Sequence, residues 1–414
     1  MSELVSHDVC LLDPFSVVTQ CYMNASIQIM AGWCQERLAG WDKRIGATEP
    51  LTHSLVSVSE SLLADLPMDT VRASDLILNP TAIKQAMDEK TEKFRGFEQR
   101  DAHEFLSDMI DHVHEELTSH EKKVGSSEVE AVLPTDDFRL TVQVSLECMS
   151  CQYTRTKEEM YRHLSIDIPD SKASPDFVAQ LPESLDQFFE PEVREIRCEK
   201  CSLGTHAKQS MRITSQPRML LLHLKRFVFV EKPVSSPVGE NEENSHPNSP
   251  SARKRAAHME YVFKKKRTPV ELQPLLSLQP YCQSVNEDKV ADLENLSEPN
   301  YQLDGVVYHI GSRAESGHYT ANALRLKLDV DEDDATTSAP TTTAVATIEE
   351  STEGATGSTD ENKDAPVLTD KNGKPLQWTN FDDGNSCPMK RSPRTRQKQE
   401  TAYMLLYKRK TTPS

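Results

Sequence analysis

A cysteine at the start of a predicted helix most constrains how this chain can fold. Cys21 follows an extended apolar stretch, and Met23, Ile27 and Met30 continue it with helical spacing. A thiol in the first turn of a helix feels the positive end of the helix dipole, which favours the reactive thiolate. Inert packing of a buried thiol is the alternative, and the helical pattern alone leaves it open.

A histidine and two aspartates far downstream give Cys21 candidate partners. Residues 317–320 read Gly-His-Tyr-Thr, and the segment that begins at Trp378 contains Asp382 and Asp383. We predict that His318 opens a strand after a hairpin loop over 311–317, and a strand histidine that only packs is the alternative. The chain order of cysteine, histidine and aspartate is that of papain-like thiol proteases, so it indicates nucleophilic thiol chemistry.

Composition limits the class of protein. The chain has 414 residues and is 37% hydrophobic, which is enough for a sizeable core. Its first residues lack the features of a signal peptide, and no run approaches the roughly 18 apolar residues of a membrane span. We therefore expect an intracellular protein of the cytoplasm, the nucleus or both, with no membrane partner. Its nine cysteines are then not expected to pair as disulfides, and catalysis and metal binding better explain those that lie in motifs.

The charge of the chain argues against nucleic acid as its main partner. The formal net charge is −18, whereas proteins that bind phosphate backbones present basic surfaces. Much of the negative charge lies between Asp329 and Asp364, where eleven acidic residues accompany one base. We predict a disordered acidic insertion over 329–372.

Two cysteine pairs predict a structural metal site. Cys148 and Cys151 follow a strand pattern, and Cys198 and Cys201 repeat the same spacing. Two such pairs on tight turns complete a four-cysteine zinc site. Because four sulfurs leave no open position for a substrate, we expect the Zn²⁺ to be structural and to lie at the tips of two long hairpins. A zinc ribbon that binds nucleic acid rests on these pairs alone and fits poorly with the acidic charge.

Helical patterns come first in the chain and strand patterns follow. We predict helices within 51–79 and a long amphipathic helix that follows Gln99-Arg100-Asp101, with Asp101 as its N-cap or as an acid of its first turn. The apolar stripe of that helix consists of Ala102, Phe105, Leu106, Met109, Ile110, Val113 and Leu117. Strand patterns occupy 139–146, 218–230, 301–323 and 401–407. The second of these is typical of one long buried strand.

A second insertion is predicted over 233–259, which is rich in Pro, Ser, Asn and Glu. Ser236 and Ser249 each precede a proline there and are candidate phosphorylation sites. Basic runs at 253–255 and 264–267 are spaced like a two-part nuclear import signal. A solvated basic strand end is the alternative for the second run, and the sequence does not decide between the two.

Taken together, these motifs resemble the ubiquitin-specific protease family of deubiquitinases, from about Phe15 to Tyr407 outside the two insertions. The segments that carry the resemblance occur in the family's order. They are Cys21-Tyr-Met-Asn24, Gln99-x-Asp101-Ala-x-Glu104-Phe105, Leu222-His-Leu-Lys-Arg-Phe227, Tyr301-x-Leu303, Gly317-His-Tyr-Thr320, Trp378-x-x-Phe-Asp-Asp383 and Ala402-Tyr-Met-Leu-Leu-Tyr407. On these motifs the chain is identified as a member of that family.

The resemblance implies an α+β, papain-like cysteine protease fold with a right-hand architecture, formed by a single catalytic domain over 1–414. Its parts would be a helical thumb over 1–135, zinc-tipped β fingers over 136–215 and a β palm over 216–410. The Cys21 helix and the His318 strand would then face each other across a cleft.

The resemblance also implies catalytic roles. Cys21 would attack the carbonyl of the last glycine of ubiquitin and form a thioester. His318 would take the thiol proton and pass it to the leaving lysine amine. Asp382 would orient the imidazole, and the neighbouring acid Asp383 would assist. The implied activity is that of a cysteine-type deubiquitinase.

Substrate contacts follow from the same resemblance. Gln99, Asp101 and Glu104 are the implied contacts of the extended ubiquitin tail, whose arginines suit an acidic groove. The expected partners are ubiquitin and ubiquitinated proteins. The expected cofactor is structural Zn²⁺.

One stretch departs from the family pattern. The family places an asparagine five residues before the nucleophile as a donor to the oxyanion, followed by a glycine-containing turn. Here these positions hold Ser16 and Val18-Thr19-Gln20. Ser16 keeps a hydroxyl donor with a shorter reach, and loss of one oxyanion donor costs about 10²–10³ in turnover. The alternative to an active enzyme is therefore a ubiquitin-binding scaffold with weak or lost catalysis.

Overall fold

A computed structural model gives the fold of the chain. The residues that it describes are 11–12, 20–45, 49–63, 77–78, 80–96, 98–124, 132–170, 176–233, 259–283, 300–313, 316–326, 368–369, 373–383, 385–389, 392–393 and 395–410. Ser16, the turn at 17–19 and most of the two predicted insertions, over 233–259 and 329–372, lie outside these ranges. What the sequence predicts for them stays a prediction, as do the boundaries of thumb, fingers and palm.

The described elements are helices first and mainly strands later. The α-helices are α1 (Cys21–Trp33), α2 (Ala39–Ile45), α3 (Pro50–Leu62), α4 (Thr81–Lys90), α5 (Ala102–Val124), α6 (Leu181–Phe189) and α7 (Arg396–Thr401). The strands are β1 (Leu11–Leu12), β2 (Ile77–Leu78), β3 (Leu140–Cys148), β4 (Thr154–Tyr161), β5 (Leu164–Ile166), β6 (Glu192–Arg194), β7 (Ala207–Ser215), β8 (Met219–Leu224), β9 (Phe227–Pro233), β10 (Met259–Lys265), β11 (Leu275–Leu276), β12 (Tyr301–Arg313), β13 (Ser316–Leu326), β14 (Leu376–Asp382), β15 (Asn385–Pro388) and β16 (Ala402–Arg409).

Helix α1 is the centre of the helical region. It is buried on nearly all sides, because it packs against α3 and α5 and also against strand β13. Helix α5 turns its predicted apolar stripe toward this core. The predicted N-cap of α5 is confirmed, since Oδ1 of Asp101 accepts the backbone N–H groups of His103 and Glu104. The helix that carries Cys21 is thus held between other helices and a sheet.

Two sheets carry most of the remaining fold. The larger sheet runs β15-β14-β13-β12-β16-β8-β5, with β11 beside β12, and its pairs are antiparallel except for β5 with β8. The smaller sheet runs β4-β3-β7-β6. Leu140 and Val142 at the start of β3 join the core, whereas β4 is largely exposed. The far end of the smaller sheet carries the cysteine pairs.

The prediction of one strand over 218–230 is wrong. The structure divides this run into β8, which lies in the larger sheet, and β9, which pairs with β10 in a separate two-stranded sheet. The break lies at Arg226, whose side chain is fully buried. Its guanidinium donates to the backbone carbonyls of Lys266, Thr268, Gln399 and Ala402. A buried arginine must satisfy its donors in this way, and an apolar pattern on either side of it does not reveal the break.

The hairpin that carries His318 is tighter than predicted. The expected loop over 311–317 is mostly strand, because β12 continues to Arg313 and β13 begins at Ser316. A bulge follows Ile310, where Gly311 has a φ of +137°. Glycine adopts this conformation without the strain that a side chain would cause. Beyond this bulge, Arg313 still pairs with Ser316.

Two other predicted segments are partly different in the structure. The stretch 51–79 contains most of α3 but ends in strand β2, where Ile77 and Leu78 pair in parallel with β1. That pairing overrides the local helical pattern. The basic run over 264–267 includes the last two residues of β10, and Lys265 within it is buried instead of solvated. No helix in the part of the chain that the structure describes is long and apolar enough to span a membrane.

Candidate active site

Cys21 is the first residue of α1 and lies against strand β13. The helix begins here because Gln20 has a non-helical backbone conformation, while its carbonyl accepts the N–H groups of Met23 and Asn24. Cys21 is 2% exposed, and the backbone N–H of Tyr319 donates to its sulfur at 3.4 Å. The thiol therefore sits at the positive end of a helix and accepts a hydrogen bond from a backbone N–H.

His318 connects the thiol to a carboxylate. Its Nε2 lies 2.5 Å from Oδ1 of Asp382, which belongs to the adjacent strand β14. The hydrogen bond with Cys21, followed by the bond with Asp382, raises the pKa of His318 to about 9 against the opposite effect of burial. At neutral pH the imidazole is therefore protonated beside the thiol.

Asp383 lies farther from the imidazole than Asp382 does. Its Oδ2 is 3.9 Å from Nδ1 of His318, which is too long for a hydrogen bond. Nδ2 of Asn24 donates to its Oδ1 at 3.3 Å and so ties the start of α1 to the end of β14. Asp383 has a left-handed backbone with a φ of +48°, which aspartate tolerates better than most residues. Burial raises the pKa of this carboxyl.

Gln99 spans the cleft between the helical region and β13. Its side-chain amide donates to the carbonyl of Gly317 and accepts the N–H of the same residue at 3.0 Å. Its Nε2 also lies 3.7 Å from the sulfur of Cys21. The structure thus places this predicted tail contact next to the nucleophile and next to the residue that precedes His318.

Asp101 and Glu104 differ in what they present to a partner. Asp101 caps α5 with Oδ1, and its Oδ2 accepts the hydroxyl groups of Tyr403 at 2.5 Å and Tyr319 at 3.3 Å. Both of its oxygens are therefore bonded within the protein. Glu104 is exposed in the first turn of α5. Ser16, the predicted oxyanion donor, lies outside the described residues.

The predicted zinc ligands lie together at the end of the smaller sheet. Their sulfurs are all within 4.8 Å of one another. The separation is 3.9 Å between Cys148 and Cys201 and 3.7 Å between Cys151 and Cys198. A tetrahedral zinc ion with Zn–S bonds of about 2.3 Å separates its sulfurs by about 3.8 Å. The spacing of these thiols fits such an ion.

The backbone at Gly204 supports the cysteine cluster. Its N–H donates to the sulfur of Cys201 at 3.4 Å. The N–H groups of Gly204 and Leu203 lower the pKa of Cys201 to about 6. A Cβ on Gly204 would lie 2.5 Å from the sulfur of Cys148, so the site has no room for a side chain there. The bonds to Cys201 therefore favour its thiolate, which is the form of cysteine that binds Zn²⁺.

A comparison of the sequence with models of protein families shows the family to which the chain belongs. The ubiquitin carboxyl-terminal hydrolase family matches residues 17–407, which is nearly the whole chain. The chain belongs to this family. The resemblance to the deubiquitinases that the motifs predict is thereby confirmed.

Curated members of the hydrolase family are longer than the part that matches. The chain is 32% identical over 235 residues to ubiquitin carboxyl-terminal hydrolase 37 of Gallus gallus, covering 50% of this chain and 23% of that protein. It is 31% identical over 247 residues to the Homo sapiens protein of the same name, covering 55% and 24%. It is 25% identical over 281 residues to ubiquitin carboxyl-terminal hydrolase 44 of Danio rerio, covering 59% and 35%. The chain thus matches about a quarter to a third of the length of these relatives.

Solved structures of a DUB module share the fold. The SAGA DUB module of Ubp8, Sgf11, Sus1 and Sgf73 bound to monoubiquitin matches with a TM-score of 0.61 at 18% identity, covering 98% of this chain and 70% of that chain. The same module bound to ubiquitin aldehyde matches with a TM-score of 0.61 at 17% identity, covering 100% and 72%. The predicted α+β, papain-like fold class is confirmed.

Two residues of this site have contacts that the sequence analysis did not predict. Asn24 lies three positions after Cys21 on the same helix, and this spacing could have indicated that both face the cleft. Tyr319 follows His318 directly, but only the structure shows that its backbone bonds the thiol and that its hydroxyl bonds Asp101. A backbone donor leaves no signal in side-chain patterns.

Proposed function

We propose that this chain is a thiol-dependent deubiquitinase that hydrolyses isopeptide or peptide bonds at the C-terminal glycine of ubiquitin. The observation that carries the proposal is the contact between Cys21, His318 and Asp382 in a member of the ubiquitin carboxyl-terminal hydrolase family. The Ubp8 structures bound to monoubiquitin and to ubiquitin aldehyde share this fold, which supports ubiquitin and ubiquitinated proteins as partners.

In the first half of the proposed reaction, the sulfur of Cys21 attacks the carbonyl carbon of the last ubiquitin glycine. Nδ1 of His318 holds the thiol proton, because Nε2 already donates to Asp382. The tetrahedral intermediate collapses to a thioester as the carbon–nitrogen bond breaks. His318 gives its proton to the lysine amine that leaves.

In the second half, a water molecule attacks the thioester carbonyl. His318 is now neutral and accepts the proton of the water through Nδ1. The sulfur of Cys21 leaves as a thiolate, the carboxylate of ubiquitin is released, and the thiolate–imidazolium pair is restored. Asp382 accepts the Nε2–H throughout and so keeps the imidazole in one orientation.

The oxyanion of both intermediates needs donors near the sulfur. The first N–H groups of α1 have no partner within the helix, so the backbone N–H of Cys21 suits this role. We propose the hydroxyl of Ser16 as the second donor. If its short reach limits the reaction, Ser16→Asn should raise turnover, and an unchanged turnover would argue against this role.

The ubiquitin tail is proposed to lie along Gln99 and Glu104. Glu104 is exposed and presents its carboxylate to an arginine of the tail. Asp101 is proposed to shape the groove without binding the tail, because both of its oxygens are bonded within the protein. We expect Glu104→Gln to raise KM for ubiquitin substrates more than Asp108→Asn on the same helix does.

Hydrolysis of ubiquitin carrying a fluorogenic C-terminal amide tests the proposed function. We expect the wild type to release the fluorophore and Cys21→Ser to lose at least about 10³-fold in kcat. Cys387→Ser is the matched control, because Cys387 is exposed on β15 and takes no part in the site. A wild type that leaves the substrate intact at high enzyme concentration would contradict a hydrolytic role.

A ubiquitin-binding scaffold is the second candidate function, and the altered stretch from Ser16 to Gln20 is the observation that favours it. A scaffold would bind ubiquitin measurably without hydrolysing the fluorogenic substrate. Recovery of hydrolysis in Ser16→Asn would then show that the missing part was the oxyanion donor.

We also propose that Cys148, Cys151, Cys198 and Cys201 hold one structural zinc ion. When bound, the ion would cross-link the β3–β4 end to the β6–β7 end of the smaller sheet, and no catalytic step involves it. Zinc analysis of the purified protein should give about one ion per chain. Cys201→Ser should lose this ion, whereas the control variant Cys387→Ser should keep it. Absence of zinc together with free alkylation of these thiols in the native protein would contradict the site.

An intracellular location, in the cytoplasm, the nucleus or both, is proposed on chemical grounds. The cysteines among the described residues are free thiols, and both the nucleophile and the metal site need reduced sulfur. The basic run over 264–267 gives little support to nuclear import, because Lys265 is buried. Imaging of the full chain and of a variant with the 253–255 run neutralised would test the nuclear part.

A further inference from the structure

A lysine is buried behind the hairpin that carries the catalytic histidine. Lys265, at the end of β10, is 7% exposed, and its ammonium contacts the backbone of β12. Nζ donates to Nδ1 of His309 at 2.8 Å, to the carbonyl of His309 at 2.6 Å and to the carbonyl of Gly311 at 2.9 Å. Each N–H of the ammonium therefore has an acceptor, which a buried charge requires.

This arrangement fixes the protonation of His309. Because Nδ1 accepts from the ammonium, the ring is neutral and carries its proton on Nε2. Burial, followed by the charge of Lys265, lowers the pKa of His309 to about 3. The ring also packs edge-on against Phe227 and Tyr319. His309 is thus a fixed, neutral spacer in the pH range in which His318 acts.

His309 lies directly against the residue that precedes His318. A Cβ on Gly317 would overlap Nε2 of His309, so only a glycine fits at this contact. Ile310, next to His309, pairs with His318 across the hairpin. Gln99 bonds the N–H and the carbonyl of Gly317 from the helical side. The backbone that leads into His318 is therefore held from both directions.

We infer that Lys265 is a positioning residue for His318, acting through His309 and the backbone of Gly311. The inference rests on the Cys21–His318 pair of the proposed function and does not depend on ubiquitin as the substrate. Without the ammonium, two carbonyls and one imidazole nitrogen lose the hydrogen bond that Lys265 donates. The bulge between β12 and β13 would then shift, and the imidazole would no longer be held beside the thiol.

Charge around Lys265 makes this positioning depend on pH. Burial, followed by the positive charges of Arg226 and Arg267, lowers the pKa of Lys265 to about 8. His309 on β12 faces the ammonium directly, and His318 on β13 lies beyond it. Because the pKa of Lys265 is lowered, the ammonium is present below about pH 8 and is lost as the pH rises above that value. The positioning is therefore complete at neutral pH and weakens in alkaline solution.

The rate at which iodoacetamide alkylates Cys21 tests the inference, because it reports a thiolate held by His318. We expect Lys265→Met to slow this alkylation by about tenfold or more near pH 6.5. Toward pH 9 the alkylation rates of the wild type and of Lys265→Met should converge. An ordinary thiol ionises near about pH 8.5, so a thiolate then forms without the help of His318. Lys264→Met is the matched control, since Lys264 is the exposed neighbour on the same strand. Alkylation of the exposed Cys387 in the same samples gives the reference rate.

Equal rates for the wild type and Lys265→Met across this pH range would overturn the inference, and so would a wild-type Cys21 that does not react. If Lys265→Met fails to fold, nitrogen NMR of His309 in the wild type replaces the comparison of alkylation rates. That spectrum should show an unprotonated Nδ1 and no titration between about pH 5 and 8, whereas titration near about 6.5 would overturn the inference. A chain that passes these tests but does not hydrolyse ubiquitin would reject the proposed substrate and leave the positioning role supported.

Discussion

At the scale of single residues, the two neighbouring aspartates should contribute unequally to catalysis. Asp382 is 2.5 Å from Nε2 of His318, whereas Asp383 is 3.9 Å from Nδ1 and is bonded by Asn24 instead. We expect Asp382→Asn to lower kcat/KM by about 10²-fold or more, because the amide can favour the wrong imidazole tautomer. Asp383→Asn should lower kcat/KM by less than about tenfold.

Asp383→Asn is a suitable control because asparagine also tolerates a left-handed backbone, such as the φ of +48° at this position. Steady-state hydrolysis of a ubiquitin amide by both variants measures the difference. A larger loss in Asp383→Asn than in Asp382→Asn would mean that the two acids exchange roles when substrate binds.

The raised pKa of His318 gives a second prediction for single residues. Its largest cause is the hydrogen bond with Cys21, so Cys21→Ala should lower the pKa of His318 from about 9 toward the ordinary value of about 6.5. In the wild type the imidazole should keep its proton until the pH rises through about 9, and in the variant it should lose the proton at a lower pH. A titration of the His318 ring resonances by NMR measures both. Equal pKa values of His318 in the two proteins would show that the contact with Cys21 does not raise this pKa.

At the scale of elements, Asp101 joins helix α5 to strands β13 and β16. It caps the helix with one oxygen and accepts the hydroxyl groups of Tyr319 and Tyr403 with the other. Asp101→Asn keeps the cap but removes the charged acceptor, so we expect the free energy of unfolding to fall by about 1.5–3 kcal/mol. Asp108→Asn, which breaks only the surface pair with Lys93, should cost less than about 1 kcal/mol. Urea unfolding of both variants tests this ranking, and equal midpoints would contradict it.

At the scale of the whole molecule, the long acidic segment should be dispensable for folding. Leu326 at the end of β13 pairs with Leu376 at the start of β14, so the two ends of the segment are already adjacent. Loop closure costs only about 0.6 kcal/mol for each doubling of length. Residues 368–369 pair with 375–376 and should be retained. Replacing 331–367 by a short Gly-Ser linker should therefore preserve folding and reactivity toward a ubiquitin probe.

A shortened protein that folds but no longer reacts would show that the acidic segment takes part in the site. Circular dichroism and thermal unfolding of the shortened and full chains separate this outcome from simple misfolding. The same segment replaced by an equally long, uncharged Gly-Ser sequence tests whether its charge or its length matters.

The spacing of the motifs was enough to predict the residues of the catalytic site. It named Cys21, His318 and Asp382, and the structure places these residues in one cluster. It missed Lys265 and His309, because a lysine in a basic run is normally solvated and nothing local indicates three buried acceptors. It also took 218–230 as one strand, because an arginine inside an apolar run does not show where its guanidinium bonds. These misses all depend on partners far away in the sequence.

The site at which a ubiquitin probe with a C-terminal electrophile becomes attached tests the central claim most directly. Intact mass measurement followed by peptide mapping gives both the number of probes bound and the residue that carries them. We predict one probe per chain, on Cys21, and no adduct in Cys21→Ala. An unmodified wild type, or an adduct that persists in Cys21→Ala on another cysteine, would contradict the account.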